Sequence, residues 1–415
     1  MLRFLTAGES HGPALVVIVE GVPAGLALDA QLIDRDLRRR QLGFGRGQRM
    51  QIESDSVEIL SGVRGGETLG SPVGLLIANR DWKNWQRTMY VGREADPEAT
   101  GARRSPVTRP RPGHADLSGG VKYDRRDLRD VLERASARET AARVAAGAVA
   151  RQLLLAAAGV VVTSHVRRIG DVALPDDRIV AVDEVLALPD DSPVRCVDAQ
   201  VQERMIAAIL DAKRAGDTLG GTFEVVATNV PPGLGSHVHW DRKLDGRLAQ
   251  AVMSIHAVKG VGIGLGERVA ALPGSQVHDE IVLAESHERP SRDLPLARPT
   301  NRAGGLEGGV TNGEDVRVTG HMKPIATLMQ PLRSVDVSTM VESAAAIERS
   351  DVCAVPAAAV IGEAMVCLVL ADVLLEKTGG DSMGEIVDHL AATRGRVEAY
   401  FPARASRPPD EGPGH

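Results

Sequence analysis

The stretch LRDVLERASARETAARVAAGAVARQLLLAAAG, residues 128–159, predicts the longest helix of the chain. Its composition is rich in alanine and leucine, which have high helix propensities. Glycine is frequent just beyond the last turn of a helix, so Gly159 is the expected stop. We therefore expect one continuous helix from Leu128 to Ala158.

Apolar segments on both sides of this helix predict a mixed α/β protein. The periodicity predicts strands at 13–22, 50–63, 71–78, 160–169 and 222–229, and helices at 29–40, 200–215, 244–258, 351–376 and 381–396. Asp29 is the expected N-cap of its helix. No convincing linker divides the chain, so we expect a single α+β domain over residues 1–400 and a disordered Pro/Gly-rich tail over residues 401–415.

Residues 80–120 form a long stretch rich in Pro, Gly, Arg and Asp. A structureless loop of this length is uncommon inside a compact domain. The stretch is therefore either functional or contains elements that the pattern does not reveal.

The composition is that of a folded globular protein and limits the possible partners. Hydrophobic residues make up 43% and charged residues 25% of the 415 positions, and the formal net charge is −6. An acidic balance argues against bulk nucleic-acid binding, although arginine clusters can still form positive pockets. The N-terminal sequence MLRFLTAGESHG turns polar within a few residues, which predicts a cytoplasmic protein without an export signal or membrane span.

Several patterns imitate metal or cofactor sites but have the wrong spacing. The glycines of GVGIGLGERV (260–269) do not follow G-x-G-x-x-G, and the segment follows a predicted helix. His237 and His239 would share one face of a strand, but no third metal ligand stands at a suitable distance, so we expect no metal site. We expect reduced core thiols for the three widely spaced cysteines, which are Cys196, Cys353 and Cys367.

Two histidines lie between glycines in segments that suit acid/base chemistry. GESHG (8–12) places His11 on a loop before a predicted strand, and RPGHAD (111–116) places His114 on a segment stiffened by Pro and Gly. Histidine titrates near neutral pH, and glycine permits close approach of a ligand. The two motifs are what an acid/base pair requires, but an incidental loop histidine fits each motif equally well.

Two arginine-rich segments suit anion binding. Arginines 38–40, 46 and 49 surround a glycine-rich turn, and ERASARETAARV (133–144) carries further arginines among small residues. Arginine captures phosphate and carboxylate in a bidentate manner. The alternatives are a solvated helix end for the first segment and surface i,i+4 ion pairs of Glu133 and Glu139 for the second. For Asp351, the alternative to function is a helix N-cap.

Taken together, six motifs resemble the chorismate synthase family in content and order. They are GESHG (8–12), RPGHAD (111–116), ERASARETAARV (133–144), NRAGGLEGG (301–309), KPIAT (323–327) and RSDVCAVPA (349–357). The resemblance runs from Met1 to about residue 380. It implies a lyase that eliminates phosphate from 5-enolpyruvylshikimate 3-phosphate with reduced FMN and without net redox change.

The resemblance also implies an architecture and partners that the periodicity does not predict. Family members share a β-α-β sandwich, with helices packed between antiparallel sheets, and assemble as homotetramers. The length is that of bacterial forms, which implies an external flavin reductant; flavin reduction by NADPH stays open.

The resemblance assigns roles to individual residues. His11 is implied as the general acid beside the leaving phosphate, His114 as the partner of reduced flavin, and Asp351 as part of a proton relay on the flavin N5 side. The implied ligands of substrate or NADP are Arg40, Arg46, Arg111 and Arg138, with Arg134 also facing substrate.

The implied FMN contacts are Arg134, Ala135, Ser136, His256, Ala257, Gly308, Lys323, Pro324, Ile325, Ala326, Thr327 and Arg349. The chain departs from the family at His256, where Gln, Glu or another polar residue is more common. If that contact is made by the side chain, the departure puts flavin affinity in question. Residues 276–299 look individual to this chain and have no assigned role.

Two other functional classes remain open at the level of the residues. A nicotinamide-dependent oxidoreductase requires a dinucleotide fingerprint after a strand, which the sequence lacks. A phospho-ligand or RNA-binding module requires salt-sensitive polymer binding and a basic surface, which the net charge of −6 does not favour.

Overall fold

The computed structural model describes residues 1–47, 54–92, 100–101, 104–287, 290–348 and 351–402. The helices are α1 (Ala30–Gln41), α2 (Asp116–Tyr123), α3 (Arg129–Leu132), α4 (Thr140–Ala158), α5 (Val182–Leu186), α6 (Ala199–Arg214), α7 (Leu244–Met253), α8 (Val355–Thr378) and α9 (Met383–Tyr400).

The strands of the two main sheets are β1 (Arg3–Ala7), β2 (Ala14–Glu20), β3 (Glu58–Ser61), β6 (Val73–Ala78), β7 (Val161–Ile169), β8 (Val172–Ala173), β9 (Gly221–Thr228), β10 (Val258–Ile263) and β15 (Val316–Met322). Short two-stranded pairs are formed by β4 (Val63–Arg64), β5 (Glu67–Thr68), β11 (Val282–Leu283), β12 (Leu296–Ala297), β13 (Leu306–Glu307), β14 (Val310–Thr311), β16 (Arg333–Asp336) and β17 (Val341–Ala344).

Two antiparallel sheets form the outer layers. The first has the order β1-β2-β6-β3, and the second has the order β10-β15-β9-β7-β8. In β2, Val17 and Val19 are buried while the alternate residues Val16 and Ile18 are exposed, as the period of two in a half-buried strand requires.

Helices α1, α4 and α8 lie between the sheets. Helix α4 packs on β2 of the first sheet, α8 packs on β7 and β9 of the second, and α1 contacts both helices. Close packing of α4 on α8 depends on Gly147, where a Cβ atom would stand 2.3 Å from the Cβ of Ala364. The expected β-α-β sandwich with helices between antiparallel sheets is confirmed.

The two most apolar helical segments are core elements. Residues 129–158 and Val355–Thr378 are long and apolar enough to cross a membrane, but 67% and 89% of their apolar windows are buried inside the fold. A helix that is apolar on all sides requires burial, and the two sheets provide it.

The predicted continuous helix over 128–158 is wrong in its first half. Ser136 has extended backbone angles (φ −68°, ψ 144°), its side chain accepts from the backbone N–H of Arg138, and a 3₁₀ turn at Ala137–Glu139 precedes α4. A serine that bonds local backbone groups competes with helix formation. The break turns residues 133–139 towards the loop that holds His11.

Three other boundaries differ from the sequence prediction. Helix α7 ends at Met253 rather than residue 258, because Ala257 has a positive φ of 66° that a helix cannot contain. Helix α8 begins at Val355 with Ala354 as its N-cap, so Asp351 is not its cap. The predicted strand 50–63 is observed as Glu58–Ser61, and its residues 50–53 lie outside the described part of the chain.

The other predicted strands and helices are present within a few residues of their expected bounds. Asp29 is the N-cap of α1 and accepts from the backbone N–H of Gln31 at 2.8 Å. The segment 260–269 supplies an antiparallel edge strand, β10, followed by a 3₁₀ turn, so it is not a dinucleotide-binding loop. Most of the predicted tail, residues 403–415, lies outside the described residues.

Candidate active site

The loop between β1 and β2 carries His11 at the end of the first sheet. Gly8 has φ +105°, and a Cβ atom there would stand 2.4 Å from the carbonyl oxygen of Ala14, so only glycine fits this turn. The backbone N–H of Ser10 donates to the carbonyl of Glu133 at 3.0 Å. The loop is therefore fixed to the irregular segment before α4.

His11 lies between a buried carboxylate and an indole ring. Both carboxylate oxygens of Glu133 are 2.9 Å from Nδ1 of His11, and Oε2 also accepts from the His11 backbone N–H. The imidazole stacks on Trp85 with ring centroids 3.6 Å apart and an interplanar angle of 21°. These contacts fix the position and the orientation of the ring.

His114 lies in a second cluster with a shared carboxylate. Asp116, at the start of α2, accepts from His114 Nδ1 at 2.6 Å and from Nε and Nη2 of Arg111 at 2.8 and 3.0 Å. Burial alone would raise the pKa of Asp116, but the hydrogen bonds from His114 and Arg111 hold it well below its usual range. Asp116 is therefore an anion that orients both side chains.

Arg40 and Arg138 meet at a third buried carboxylate. Asp55 accepts from Arg40 Nη2 at 2.9 Å and from Arg138 Nη1 at 2.5 Å. Burial lowers the pKa of Arg40 to about 10; Asp55 opposes this effect, and the positive charges of Arg138 and Arg46 add to it. The cluster thus places two buried guanidinium groups on one carboxylate.

Asn79 joins the arginine cluster to the His11 loop. Its side-chain oxygen accepts from Arg138 Nε at 2.9 Å, and its Nδ2 donates to the carbonyl of Gly12 at 2.7 Å. Arg138 and His11 therefore belong to one connected site.

Asp351 lies at the glycine-rich turn that follows α1. Its carboxylate is 2.7 Å from Arg46 Nη1 and accepts from the backbone N–H of Gly47 at 2.7 Å. The neighbouring backbone N–H of Val352 donates to the carbonyl of Gly45. Two expected site residues, Arg46 and Asp351, are thus in direct contact although 305 positions separate them in the sequence.

The KPIAT segment is adjacent to the second cluster. Thr327 Oγ1 accepts from Arg111 Nη1 at 3.0 Å, and Lys323 Nζ donates to the carbonyl of Gly113 at 2.8 Å. Burial, followed by the charge of Lys259, lowers the pKa of Lys323. The segment between these residues, Pro324, Ile325 and Ala326, therefore lies beside the His114 loop.

The segment 134–136 contacts the chain at and before the His11 loop. Arg134 donates to the carbonyls of Gly8 at 3.0 Å and Thr6 at 2.8 Å, and Ser136 Oγ is 3.1 Å from Ser10 Oγ. Ala135 continues the α3 turn by donating to the carbonyl of Val131.

His256 is half-buried among the charges of the site. Burial lowers its pKa; the carboxylate of Glu139 opposes this effect, and the positive charges of Arg143, His114 and Arg134 add to it. Its Nδ1 is buried and lacks a hydrogen-bond partner among the described residues. The next residue, Ala257, accepts from the backbone N–H of Lys323 at 2.9 Å, which connects His256 to KPIAT.

One expected contact is not joined to these clusters, and another lies outside the described residues. Gly308 forms the turn between β13 and β14 with φ +61°, near His237 and the start of α7; within the described ranges, no hydrogen bond or ion pair links it to His11 or His114. Arg349 lies outside the described residues. The described residues also contain no group of three or more His, Cys, Asp or Glu side chains that suits a metal ion.

Comparisons with known proteins bear on this arrangement. The sequence model of the family described as chorismate synthase matches residues 2–375. The chain belongs to the chorismate synthase family. The relative named chorismate synthase from Moorella thermoacetica is 59% identical over 395 residues, which cover 95% of this chain and 98% of that protein.

Further relatives and a solved structure give the same result. The chorismate synthase from Symbiobacterium thermophilum is 58% identical over 92% of this chain and 96% of that protein. A solved structure described as a crystal structure of chorismate synthase has a TM-score of 0.74 and 43% identity, and covers 96% of this chain and 98% of the other. The chorismate synthase fold thus extends over nearly the whole chain.

Several side chains of the candidate site were not predicted from the sequence. The unpredicted carboxylates and aromatic are Asp55, Trp85, Glu133 and Glu139, while Asp116 was noted beside His114 without a role. Glu133 was expected only as a surface helix residue, but it is 1% exposed and contacts His11. A usable signal was present for Trp85, inside the long 80–120 stretch.

Proposed function

We propose that the chain catalyses the 1,4-trans elimination of phosphate from 5-enolpyruvylshikimate 3-phosphate to give chorismate. One C–O bond to phosphate and one ring C–H bond break, and a second ring double bond forms. Phosphate and a proton leave together, so the reaction requires no net oxidant. Membership of the chorismate synthase family supports this proposal.

The observation that carries the proposal is the meeting of two buried guanidinium groups at one buried carboxylate, Asp55. Arg40 and Arg138 are 2% and 4% exposed and share this carboxylate, and Arg40 also feels the positive charge of Arg46. Arginine side chains held in fixed positions at a site favour an anionic ligand. The field of this cluster suits a substrate with one phosphate and two carboxylates.

His11 is the proposed general acid. Its Nδ1 faces Glu133, which leaves Nε2 to donate a proton towards the leaving phosphate. General acid catalysis of this kind contributes about 10²- to 10⁴-fold in rate. His114, held by Asp116, is the proposed donor to the flavin, and Asp351, held by Arg46 and Gly47, is the proposed acceptor on the proton path.

The residues around His256 fit a flavin and its phosphate. The buried Nδ1 of His256 lacks a described partner, Lys323 is a cation, and Ala257 presents backbone in an unusual conformation. The proposed FMN contacts are Arg134, Ala135, Ser136, His256, Ala257, Gly308, Lys323, Pro324, Ile325, Ala326, Thr327 and Arg349. Reduced FMN would supply transient electron density to the substrate, and these residues would bind it, orient it and exclude water.

The reductant, assembly and compartment are part of the same proposal. We propose an external flavin reductant, with NADPH as an alternative reductant bound through Arg40 and Arg46. We propose a cytoplasmic homotetramer. The outer face of the first sheet supports assembly, because Leu5, Ile18 and Leu60 are 67%, 43% and 55% exposed on it.

The decisive experiment is anaerobic phosphate release from 5-enolpyruvylshikimate 3-phosphate by the purified enzyme. Chemically reduced FMN is compared with oxidised FMN, with no flavin, and with FMN plus NADPH. Release with reduced FMN alone, with chorismate as product, supports the proposal. If the protein binds FMN but releases no phosphate, the proposed reaction is wrong. Phosphate release with NADPH and oxidised FMN would show intrinsic flavin reduction.

A further inference from the structure

We propose that Glu133 is a positioning residue that holds the proton of His11 on Nδ1 and directs Nε2 towards the ligand. The inference rests on the proposed function, in which His11 is the general acid. Glu133 is not among the residues to which the family resemblance assigns a role.

The contacts of Glu133 define the tautomer of His11. The side chain of Glu133 is fully buried, and its two oxygens are each 2.9 Å from Nδ1 of His11. A carboxylate only accepts hydrogen bonds, so Nδ1 carries a hydrogen. Within the described part of the chain no residue hydrogen-bonds Nε2, and the imidazole side chain is 16% exposed. Nε2 is thus the nitrogen available to a ligand.

Backbone contacts fix Glu133 to the loop that it orients. Its Oε2 accepts from the His11 backbone N–H at 2.9 Å, and its own carbonyl accepts from the Ser10 N–H at 3.0 Å. Nη1 of Arg129 is 3.5 Å from Oε1, which gives the carboxylate a buried cationic neighbour. The carboxylate and the imidazole therefore move as one unit.

Trp85 restricts the remaining freedom of the ring. The imidazole lies nearly parallel to the indole at a centroid distance of 3.6 Å, and the guanidinium carbon of Arg104 is 3.8 Å from the Trp85 ring centroid. Stacking sets the plane of His11, and Glu133 sets its rotation within that plane. An orientation fixed by two neighbours is what a directed proton donor requires.

The first test is Glu133→Gln, assayed by phosphate release with reduced FMN. The amide oxygen can take the place of Oε2, but the NH₂ group then stands at the position of Oε1, 2.9 Å from Nδ1. The variant also removes the negative charge that stabilises His11 with hydrogen on both ring nitrogens, which is the form that donates from Nε2 while Nδ1 keeps its hydrogen. We expect kcat to fall by about 10²- to 10⁴-fold. We expect the substrate KM and the Kd of FMN to change by less than about threefold, because the Glu133 side chain is fully buried behind His11.

Two variants separate positioning from a merely structural role. Glu133→Asp keeps a carboxylate, and we expect it to recover at least about tenfold in kcat over the Gln variant. Glu224→Gln is the matched control, because Glu224 is buried and 2.7 Å from Nε2 of His165 in the second sheet, outside the proposed site. We expect its kcat to stay within about twofold of the wild type.

A neutron crystal structure of the wild-type enzyme tests the tautomer without an activity assay. Deuterium on Nδ1 of His11 supports the proposal, and deuterium on Nε2 alone overturns it. This result also decides the proposal if Glu133→Gln does not fold. Full activity of Glu133→Gln would overturn the positioning role. Full activity of His11→Ala would instead refute the assignment of His11 in the proposed function and leave the neutron result standing.

Discussion

The replacement Glu363→Gln tests the buried ion network between the sheets. Glu363 of α8 is 0% exposed and accepts from Arg39 of α1 twice at 2.8 Å, from Arg151 of α4 at 2.6 Å and from Ser164 of β7 at 2.5 Å. One carboxylate thus joins all three central helices to the second sheet. The amide has the same shape, but it removes the charge and turns an NH₂ group towards guanidinium groups.

The expected loss follows from leaving buried arginines without their anion. Breaking a buried ion pair from one side costs about 3–5 kcal/mol of unfolding free energy. With an unfolding entropy of about 2.1 cal/mol/K per residue, 415 residues give about 0.9 kcal/mol/K, so the Tm should fall by about 3–6 °C.

The assay is calorimetry of the two proteins beside a surface control. Asp211→Asn removes the anion of an ion pair with Arg214 whose side chains are 71% and 74% exposed. An exposed pair contributes at most about 1 kcal/mol, so the control should lose no more than about 1 °C. If Glu363→Gln loses no more than the control, the network does not stabilise the fold and the reasoning is refuted.

Three further outcomes are expected. Burial alone would raise the pKa of Glu363, but Arg39 and Arg151 hold it well below its usual value of 4.5, so the stability that the ionised carboxylate contributes is complete above pH 4.5 and is lost as the pH falls. In thermal scans from pH 6 to 3, the Tm of Glu363→Gln should therefore fall less than the Tm of the wild type. An equal fall in Tm for both proteins would contradict this. Asp116→Asn should lower kcat for phosphate release by about 10²-fold, because His114 and Arg111 lose their shared anion; an unchanged kcat would remove Asp116 from the site. His256→Ala should raise the Kd of FMN by about tenfold, or about 1.4 kcal/mol, in a flavin fluorescence titration. The control is His239→Ala, at an exposed histidine, and equal FMN affinities of the two variants would argue against a flavin contact.

Local sequence patterns predicted the regular elements well. An apolar run after Pro13 predicted β2, the Asp29 cap predicted the start of α1, and alanine-rich composition predicted α4. The same reasoning missed the break at Ser136, because its competing hydrogen bonds run to Arg138 and to Ser10, and the second lies 126 positions away. The sandwich came from the family resemblance, because helix periodicity does not specify which sheet a helix packs against.

The candidate site, like the fold, was predicted only in part from the sequence. Motifs identified His11, His114, Arg40 and Asp351 as residues suited to phosphate and proton chemistry, because their residue types and glycine neighbours are local properties. The pairing of His11 with Glu133 and of Arg40 with Asp55 was not predicted, because a buried carboxylate is recognised only by what surrounds it.

By itself, the sequence determined the chemical character of the protein: the helices and strands, the histidines between glycines and the cluster of arginines. Only the tertiary structure decided how these groups are paired. It placed Glu133 on His11, Asp55 between Arg40 and Arg138, and Asp351 on Arg46. The physical reason is that ion pairing and burial depend on distances across the fold, which bring together residues as far apart in the chain as Arg39 and Glu363, 324 positions.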